Sequence, residues 1–493
     1  MLEISITDQE TNQTITKYTI VVDAHSHVGA DEEKVQNLNP MAPSGTIDFY
    51  KRLYHKFIKS LSKDITVTRL KSTEPKNHGD YRINWSVCPP PPLQALLESL
   101  SKNCQCGTHQ SAVKIFEKSW LVDLGIIFPF HDTFRNRLPE AEYHASNLNI
   151  QRVIGSYPGA LRFIGYLRIN PYDNLEKALK EIEFNARRGL RGMKLHPRSD
   201  LWLDGIVNQT MIRVLQEAAK WNLPVIFDTR GKRSIEDIYH LTKQTLAKLN
   251  SIPREQLKVI IAHCAHGNIG DEEIYEILCQ PNCFGEISML HGEAVRRFYK
   301  EFATYYQQHQ KDKTNGVPWS RKIMFGTDFP FFQDHHALSN ILYLTSKEFL
   351  TKVGTIEDTS NILGRTILHL LASQSWEGKQ AQRVPIDSQT YFSKGKKDNE
   401  IISAEAQLTQ KAVVPLFEQY PHITAIEYLD YAPNETRGDF SVTLRDKKWE
   451  KYCKCSMLSL VRNHFAVLLD NVNSQTKEYY SLENWREIHA NGQ

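Results

Sequence analysis

The segment Asp23-Ala-His25-Ser-His27 sets two imidazoles two residues apart, directly behind the apolar run Ile20 to Val22. Residues i and i+2 of a strand project to the same side, so His25 and His27 can present their rings to one cation. The pair alone is a weak signal, since a chain with 19 histidines holds about 0.7 such pairs by chance. Other polar residues stand where later apolar runs stop: Lys194 and His196 after LRGM, Asp228 after PVIF, His263 after VIIA and Asp328 after IMFGT. Hydrogen bonding explains a single buried His or Asp. A set of strand ends carrying His, Lys and Asp instead suits a divalent metal, whose field turns water into a nucleophile near neutral pH or polarises a substrate oxygen.

The segments VVDAHSHVG, RFIGYLRINP, RGLRGMKLHP, LPVIFDTRG, VIIAHCAHG, IMFGTDFPF and NILGRTILHLL occur in this order between residues 20 and 370. With these motifs the chain resembles the amidohydrolase superfamily, in particular its amidohydrolase-related branch of hydrolases and nonoxidative decarboxylases. The resemblance implies a metal-dependent (β/α)8 barrel with His25, His27 and Asp328 at the metal, and His263 as a ligand or an acid/base group beside it. Asp228 departs from the family, which usually places a metal-binding histidine there. A His25, His27, Asp228 and Asp328 set is chemically sound but harder and more anionic. Zinc is then the first expectation for the divalent metal, with manganese or iron as alternatives. Two other readings stand beside it: His196 supplies the missing nitrogen, or the metal has been lost.

Lys194 reads as a carbamylated bridge between metals, as a cationic contact to an acidic substrate, or as a stem at the rim with its ammonium in solvent; the substrate contact is preferred. His196 is grouped with it at the substrate. Arg230 neutralises Asp228 or binds a substrate carboxylate. Glu286 orients a ligand imidazole from behind or pairs with a neighbouring base. His266, His291, His335 and His336 are expected in surface or capping roles. Asp328 and His263 are the expected catalytic groups.

Eight apolar runs position these residues: YTIVVDAH, WLVDLGIIFPF, LRFIGYLRIN, LRGMKLH, LPVIFDT, LKVIIAH, CFGEIS and RKIMFGTD, with helical stretches between them. In one of these stretches Leu175, Leu179, Ile182 and Ala186 recur on one face. Several runs are continuously apolar, as parallel strands covered on both sides must be. The expected fold is α/β: a (β/α)8 barrel over residues 1–375, with a long insertion at about 30–118 after the first strand. A doubly wound open sheet is the alternative. A polar linker over 376–400 leads to a C-terminal α+β segment, 401–493, in which ITAIEYLDY and DFSVTLRD read as strands around APNETRG.

The 493 residues allow two to three domains. With 60 Lys and Arg against 57 Asp and Glu, the net charge of +3 gives no electrostatic reason to expect nucleic acid or a membrane surface as partner. A small-molecule substrate is the expected partner, and homo-oligomerisation is left open. No apolar run approaches the roughly 20 residues of a membrane helix. The polar start lacks the features of a secretory signal, so the cytoplasm is the expected location. Phosphate-binding glycine loops and a G-x-S-x-G elbow are absent from the sequence. Eight cysteines do not form a disulfide framework, and Cys264, Cys279 and Cys283 are expected buried and reduced. Cys88, Cys104, Cys106 and His109 form a weaker candidate zinc set. The leading function is a metal-dependent hydrolase of a small polar substrate, attacking a C–N or C–O centre with activated water. The alternatives are nonoxidative decarboxylation of a carboxylated ring, and a barrel without turnover that serves as a binding or scaffold module.

Overall fold

A computed structural model describes residues 1–28, 44–62, 65–67, 81–88, 118–130, 143–155, 162–187, 190–200, 202, 205–264, 266–309 and 317–372, together with the backbone of 423–432, 437–444 and 455–456. Strands β1 (Leu2–Asp8), β2 (Thr14–Thr19), β4 (Ile65–Val67) and β5 (Tyr81–Val87) form an antiparallel sheet in the order β2-β1-β5-β4. The remaining strands up to residue 324 are parallel: β3 (Val22–Val28), β6 (Leu124–Pro129), β7 (Phe163–Gly165), β8 (Leu167–Arg168), β9 (Met193–Leu195), β10 (Val225–Phe227), β11 (Val259–Ile261), β12 (Cys283–Glu286) and β13 (Ile323–Met324).

All eight expected runs contain a parallel strand, but the first begins later than its apolar character suggested. Thr14–Thr19 belongs to the antiparallel sheet, and the parallel strand starts at Val22. The β1 and β2 strands were not expected. The alternation of LEISITD, with Leu2, Ile4 and Ile6 buried and the residues between them partly exposed, was the period-2 signal for them.

The expectation of one continuous eight-stranded ring is met only in part. The ladders assemble into two parallel sheets, β3-β6-β7 and β8-β9-β10-β11-β12-β13. Separate backbone hydrogen bonds run across both gaps. At one, Tyr166 N donates to Ile127 O at 2.9 Å while Leu167 N donates to Gly192 O at 2.9 Å, so β7 and β8 flank a single residue that turns from one neighbour to the other. At the other, Ala24 N donates to Phe325 O (3.0 Å), Asp328 N to His25 O (2.7 Å) and His27 N to Phe329 O (2.7 Å).

Helices α1 (Ser44–Ser60), α2 (His144–Gly155), α3 (Leu175–Arg187), α4 (Gln209–Lys220), α5 (Lys232–Ala247), α6 (Glu272–Cys279), α7 (Glu293–His309) and α8 (Asp334–Leu344) lie between the strands in sequence. In α3, Ala178, Ile182 and Ala186 are buried against the main core, with Leu175 and Leu179 beside them. Side chains of β10 and β11 alternate between two cores: Val225, Phe227, Val259 and Ile261 join the larger cluster, while Ile226 and Ile260 join a smaller one with Val22, Ala24, Ile126, Ile164 and Met324. Each of these isoleucines contributes roughly 1.5–3 kcal/mol by burial, so register along the sheet is strongly specified.

Cys264, Cys279 and Cys283 are buried free thiols. Of the weaker zinc set, Cys104, Cys106 and His109 lie outside the described residues, as do the linker and a helix expected over AEAQLTQKAVVPLFEQY, whereas a second helix expected near Trp449 to Val461 is contradicted at Cys455–Ser456, which pair as a strand. Strands β14 (Ile423–Ala432), β15 (Arg437–Leu444) and β16 (Cys455–Ser456) form an antiparallel sheet, and its first two strands fall on the two expected there. Among the described residues, no helix is long and apolar enough to cross a membrane.

Candidate metal centre

Strand parity puts His25 and His27 on one side of β3, but counted from Val22 and Ala24 that would be the side of the larger core. Val22 and Ala24 face the smaller core and Val28 the larger, so the two ends of β3 are out of phase. A register shift between Asp23 and Ser26 in the pairing with β6 accounts for this, and His25 and His27 follow it. His263 and Asp328 are re-aimed differently. Each adopts a left-handed backbone conformation, with φ of 55° and 50°, which costs an L-residue roughly 1–3 kcal/mol. Asp23 pins the junction, accepting from Thr327 N at 2.9 Å, Thr327 Oγ1 at 2.6 Å, His25 N at 3.1 Å and Tyr50 Oη at 3.0 Å.

These turns gather a buried cluster. His25 Nε2 and His27 Nε2 lie 3.2 and 3.1 Å from the same oxygen, Oδ1 of Asp328. His25 Nδ1 is 2.8 Å from Glu286 Oε2, which makes Nδ1 the protonated nitrogen and leaves the Nε2 lone pair facing inward. Lys194 Nζ donates to that lone pair at 3.0 Å. Lys194 is fully buried, which excludes the reading of an ammonium in solvent. Burial pushes its pKa down to about 8 despite the carboxylates Asp228, Asp328 and Glu286 nearby. Burial also holds His25 and His27 well below the usual imidazole range, with Lys194 adding to the effect.

Asp228 stands beside a second pair of imidazoles. Its Oδ1 is 3.3 Å from His263 Nε2 and 3.6 Å from His196 Nε2, while Oδ2 is 3.8 Å from Arg230 Nε. His196 Nδ1 accepts from Ser199 N at 3.1 Å, so a neutral His196 carries its proton on Nε2, toward Asp228. His263 Nδ1 lies 2.9 Å from Ser288 Oγ, and that hydroxyl donates to Glu286 Oε2 at 3.1 Å. Both ring nitrogens of His263 therefore face acceptors, the arrangement an imidazolium needs. Burial lowers the pKa of His263, but the hydrogen bond with Asp228 and the charges of Asp328 and Glu286 outweigh it and raise it overall. Burial would raise Asp228, yet His196, His263 and Lys194 bring it well below the usual carboxylate range. Burial lifts Asp328 to about 6, with His263 and Lys194 opposing.

His25, His27 and Asp328 form a set of metal-capable groups with ligand atoms within 4.8 Å of one another; His25, His263 and Glu286 form another. Asp228, expected among the ligands, is in neither set. The donor set of two imidazoles and a carboxylate suits zinc, manganese or iron. His27 Nδ1, the ring nitrogen turned away from Asp328, is buried and has no hydrogen-bond partner among the described residues. Sequence reasoning passed over Asp23, Ser288 and Arg168. Arg168 is buried, pairs with Asp200 at 3.0 Å and follows an apolar run just as the chosen residues do. Phe128 and Phe130 ring His27 at 4.6 and 5.8 Å, Phe331 lies 5.1 Å from it, and Phe332 lies 6.5 Å from His263.

No family model and no curated protein matches the chain. Among solved structures the chain is similar to 5-carboxyvanillate decarboxylase from Sphingomonas paucimobilis, at 12% identity and a TM-score of 0.38 over 72% of this chain and 99% of that one. It is also similar to 2,6-dihydroxybenzoate decarboxylase from Rhizobium, at 11% identity and a TM-score of 0.35 over 56% of this chain and 94% of that one. A third is 4-oxalomesaconate hydratase from Rhodopseudomonas palustris, at 14% identity and a TM-score of 0.36 over 71% of this chain and 95% of that one.

Proposed function

We propose that the chain is a metal-dependent hydrolase of the amidohydrolase superfamily acting on a small polar substrate. The observation that carries this reading is the convergence of His25 Nε2 and His27 Nε2 on one oxygen of Asp328, with Glu286 fixing the tautomer of His25. The two parallel sheets are read as one (β/α)8 barrel whose site lies where its strands end. Residues 376–400 are read as a linker and 401–493 as a separate segment.

A divalent ion held by His25, His27 and Asp328 would supply Lewis acidity toward a substrate oxygen and toward water. Asp328, at about 6, is mostly ionised at neutral pH and takes a proton from the attacking water. His263, held as an imidazolium by Asp228 and Ser288, returns a proton to the leaving group. Lys194 is mostly charged at pH 7 and, with His196 and Arg230, holds an anionic or polar part of the substrate. The phenylalanines restrict water around the reacting atoms.

A second reading, nonoxidative decarboxylation, gains from that same wall. Phe130 and Phe331, 5.1 Å apart beside His27, offer faces to a planar ring while Lys194 and Arg168 supply cations for its carboxylate. Elemental analysis tests the shared core. Chelated and reloaded wild-type protein should hold one more equivalent of transition metal than the His25→Ala, His27→Ala double variant. Equal content would remove the site and leave the scaffold reading. Assays of ester, amide and lactone cleavage against CO2 release from aromatic acids then separate hydrolase from lyase.

A further inference from the structure

His291, His335 and His336 were expected as unrelated surface or capping residues, but the structure brings them together. Their ligand atoms lie within 4.8 Å of one another. Ring centroids are 4.1 Å apart for His291 and His336, 4.1 Å for His335 and His336, and 5.7 Å for His291 and His335. They come from two places in the chain: His291 follows β12, while His335 and His336 open α8. We propose that these three imidazoles form a second transition-metal site, distinct from the buried centre and selective for a borderline divalent ion such as zinc, copper or nickel.

Three observations carry the assignment. His336 Nδ1 is shielded from solvent and has no hydrogen-bond partner among the described residues, so a ring nitrogen inside the cluster stands ready for a ligand bond. The two backbone segments are already tied together, by Asn340 Nδ2 donating to Leu290 O at 2.8 Å and by Gly292 N donating to Ser339 Oγ at 3.2 Å, so binding needs little further ordering. The adjacent carboxylate, Asp334, is engaged by Lys56 Nζ at 2.7 Å, which leaves a nitrogen-only donor set. Three neutral ligands keep the ion's full charge and leave a fourth position open, as in three-histidine zinc sites. Phe332 lies between the two centres, with its ring 5.0 Å from His336 and 6.5 Å from His263. An ion here would thus stand one aromatic ring away from the acid/base histidine.

Cobalt(II) titration of the chelated full-length protein tests the site, with bound equivalents counted by elemental analysis and coordination followed by visible absorption. The His291→Ala, His335→Ala variant should bind one equivalent fewer than wild type, and His291→Gln alone should show the same loss. The His25→Ala, His27→Ala variant should keep the equivalent that the rim variants lose. This difference stands whether or not the buried centre takes metal, so the two assignments fail separately. An unchanged count and spectrum in both rim variants, with circular dichroism showing them folded, would overturn the proposal.

Discussion

Glu286 Oε2 lies 2.8 Å from His25 Nδ1 and 3.9 Å from His263 Nδ1, so one buried carboxylate oxygen serves imidazoles from two strands. Its charge makes His25 a stronger lone-pair donor and adds to the field that raises the pKa of His263. The proposed metal ligand and the proposed proton donor are therefore coupled through a residue that does neither job.

Replacing Glu286 with Gln keeps a hydrogen-bond acceptor and removes the charge. Metal affinity should fall by about 10–100-fold. A chelator competition at fixed pH measures it, and unchanged affinity would show that Glu286 has only a packing role.

Lys194 Nζ occupies the lone pair of His25 that a metal would need. Metal binding should strengthen as pH rises through about 8, where the ammonium loses its proton. Lys194→Met should bind metal more tightly than wild type at pH 7 and lose that pH dependence. If Lys194 also holds the substrate, kcat/KM of the variant should fall by about 10–100-fold, the cost of one hydrogen bond to a charged group. Parallel metal titrations and kinetics across pH 6–9 test both parts.

Asp228 raises His263 and is not among the clustered ligands. Asp228→Asn should therefore leave metal content unchanged and lower the pKa of His263. With the imidazolium lost at lower pH, the limb of kcat/KM that reports the general acid should move to lower pH. NMR titration of the His263 ring should show the same shift. A large loss of metal would return Asp228 to the ligand set.

Gly326 lies so close to the Glu286 carboxylate that an added Cβ would clash with it, and the same Cβ would be 2.9 Å from the Cβ of His25. Gly326→Ala should cost roughly 1–3 kcal/mol by overpacking and should weaken metal binding by displacing Glu286. Melting curves with and without metal check this: the metal-dependent part of the stability should shrink more than the metal-free part.

The sequence was most legible where one periodicity held along a whole segment. The apolar centres of β6, β10 and β11 could be placed from their residues, as could the buried face of α3. Reading polar residues at strand ends also led to His25, Lys194, Asp228, His263 and Asp328. What could not be read were the devices that aim them. A register shift near Asp23 and left-handed turns at His263 and Asp328 break the alternation on which strand reasoning depends, and although Asp and His are enriched in that conformation, few of them adopt it. The grouping of His291 with His335 and His336 was hidden for another reason: it joins the segment after β12 to the first turn of α8, whose relative position depends on the packing beneath them.

The β1 strand lies between β2 and β5, with Leu2 opposite Thr19 on one side and Val87 on the other. During synthesis the β1–β2 hairpin can close as soon as residue 19 emerges, while its other edge must wait for Tyr81–Val87. Until then a row of amides and carbonyls stands open to pairing with a neighbouring nascent chain. The segment between β3 and β6 therefore acts as a guard on that edge. Deleting it would be expected to produce aggregation rather than a trimmed protein.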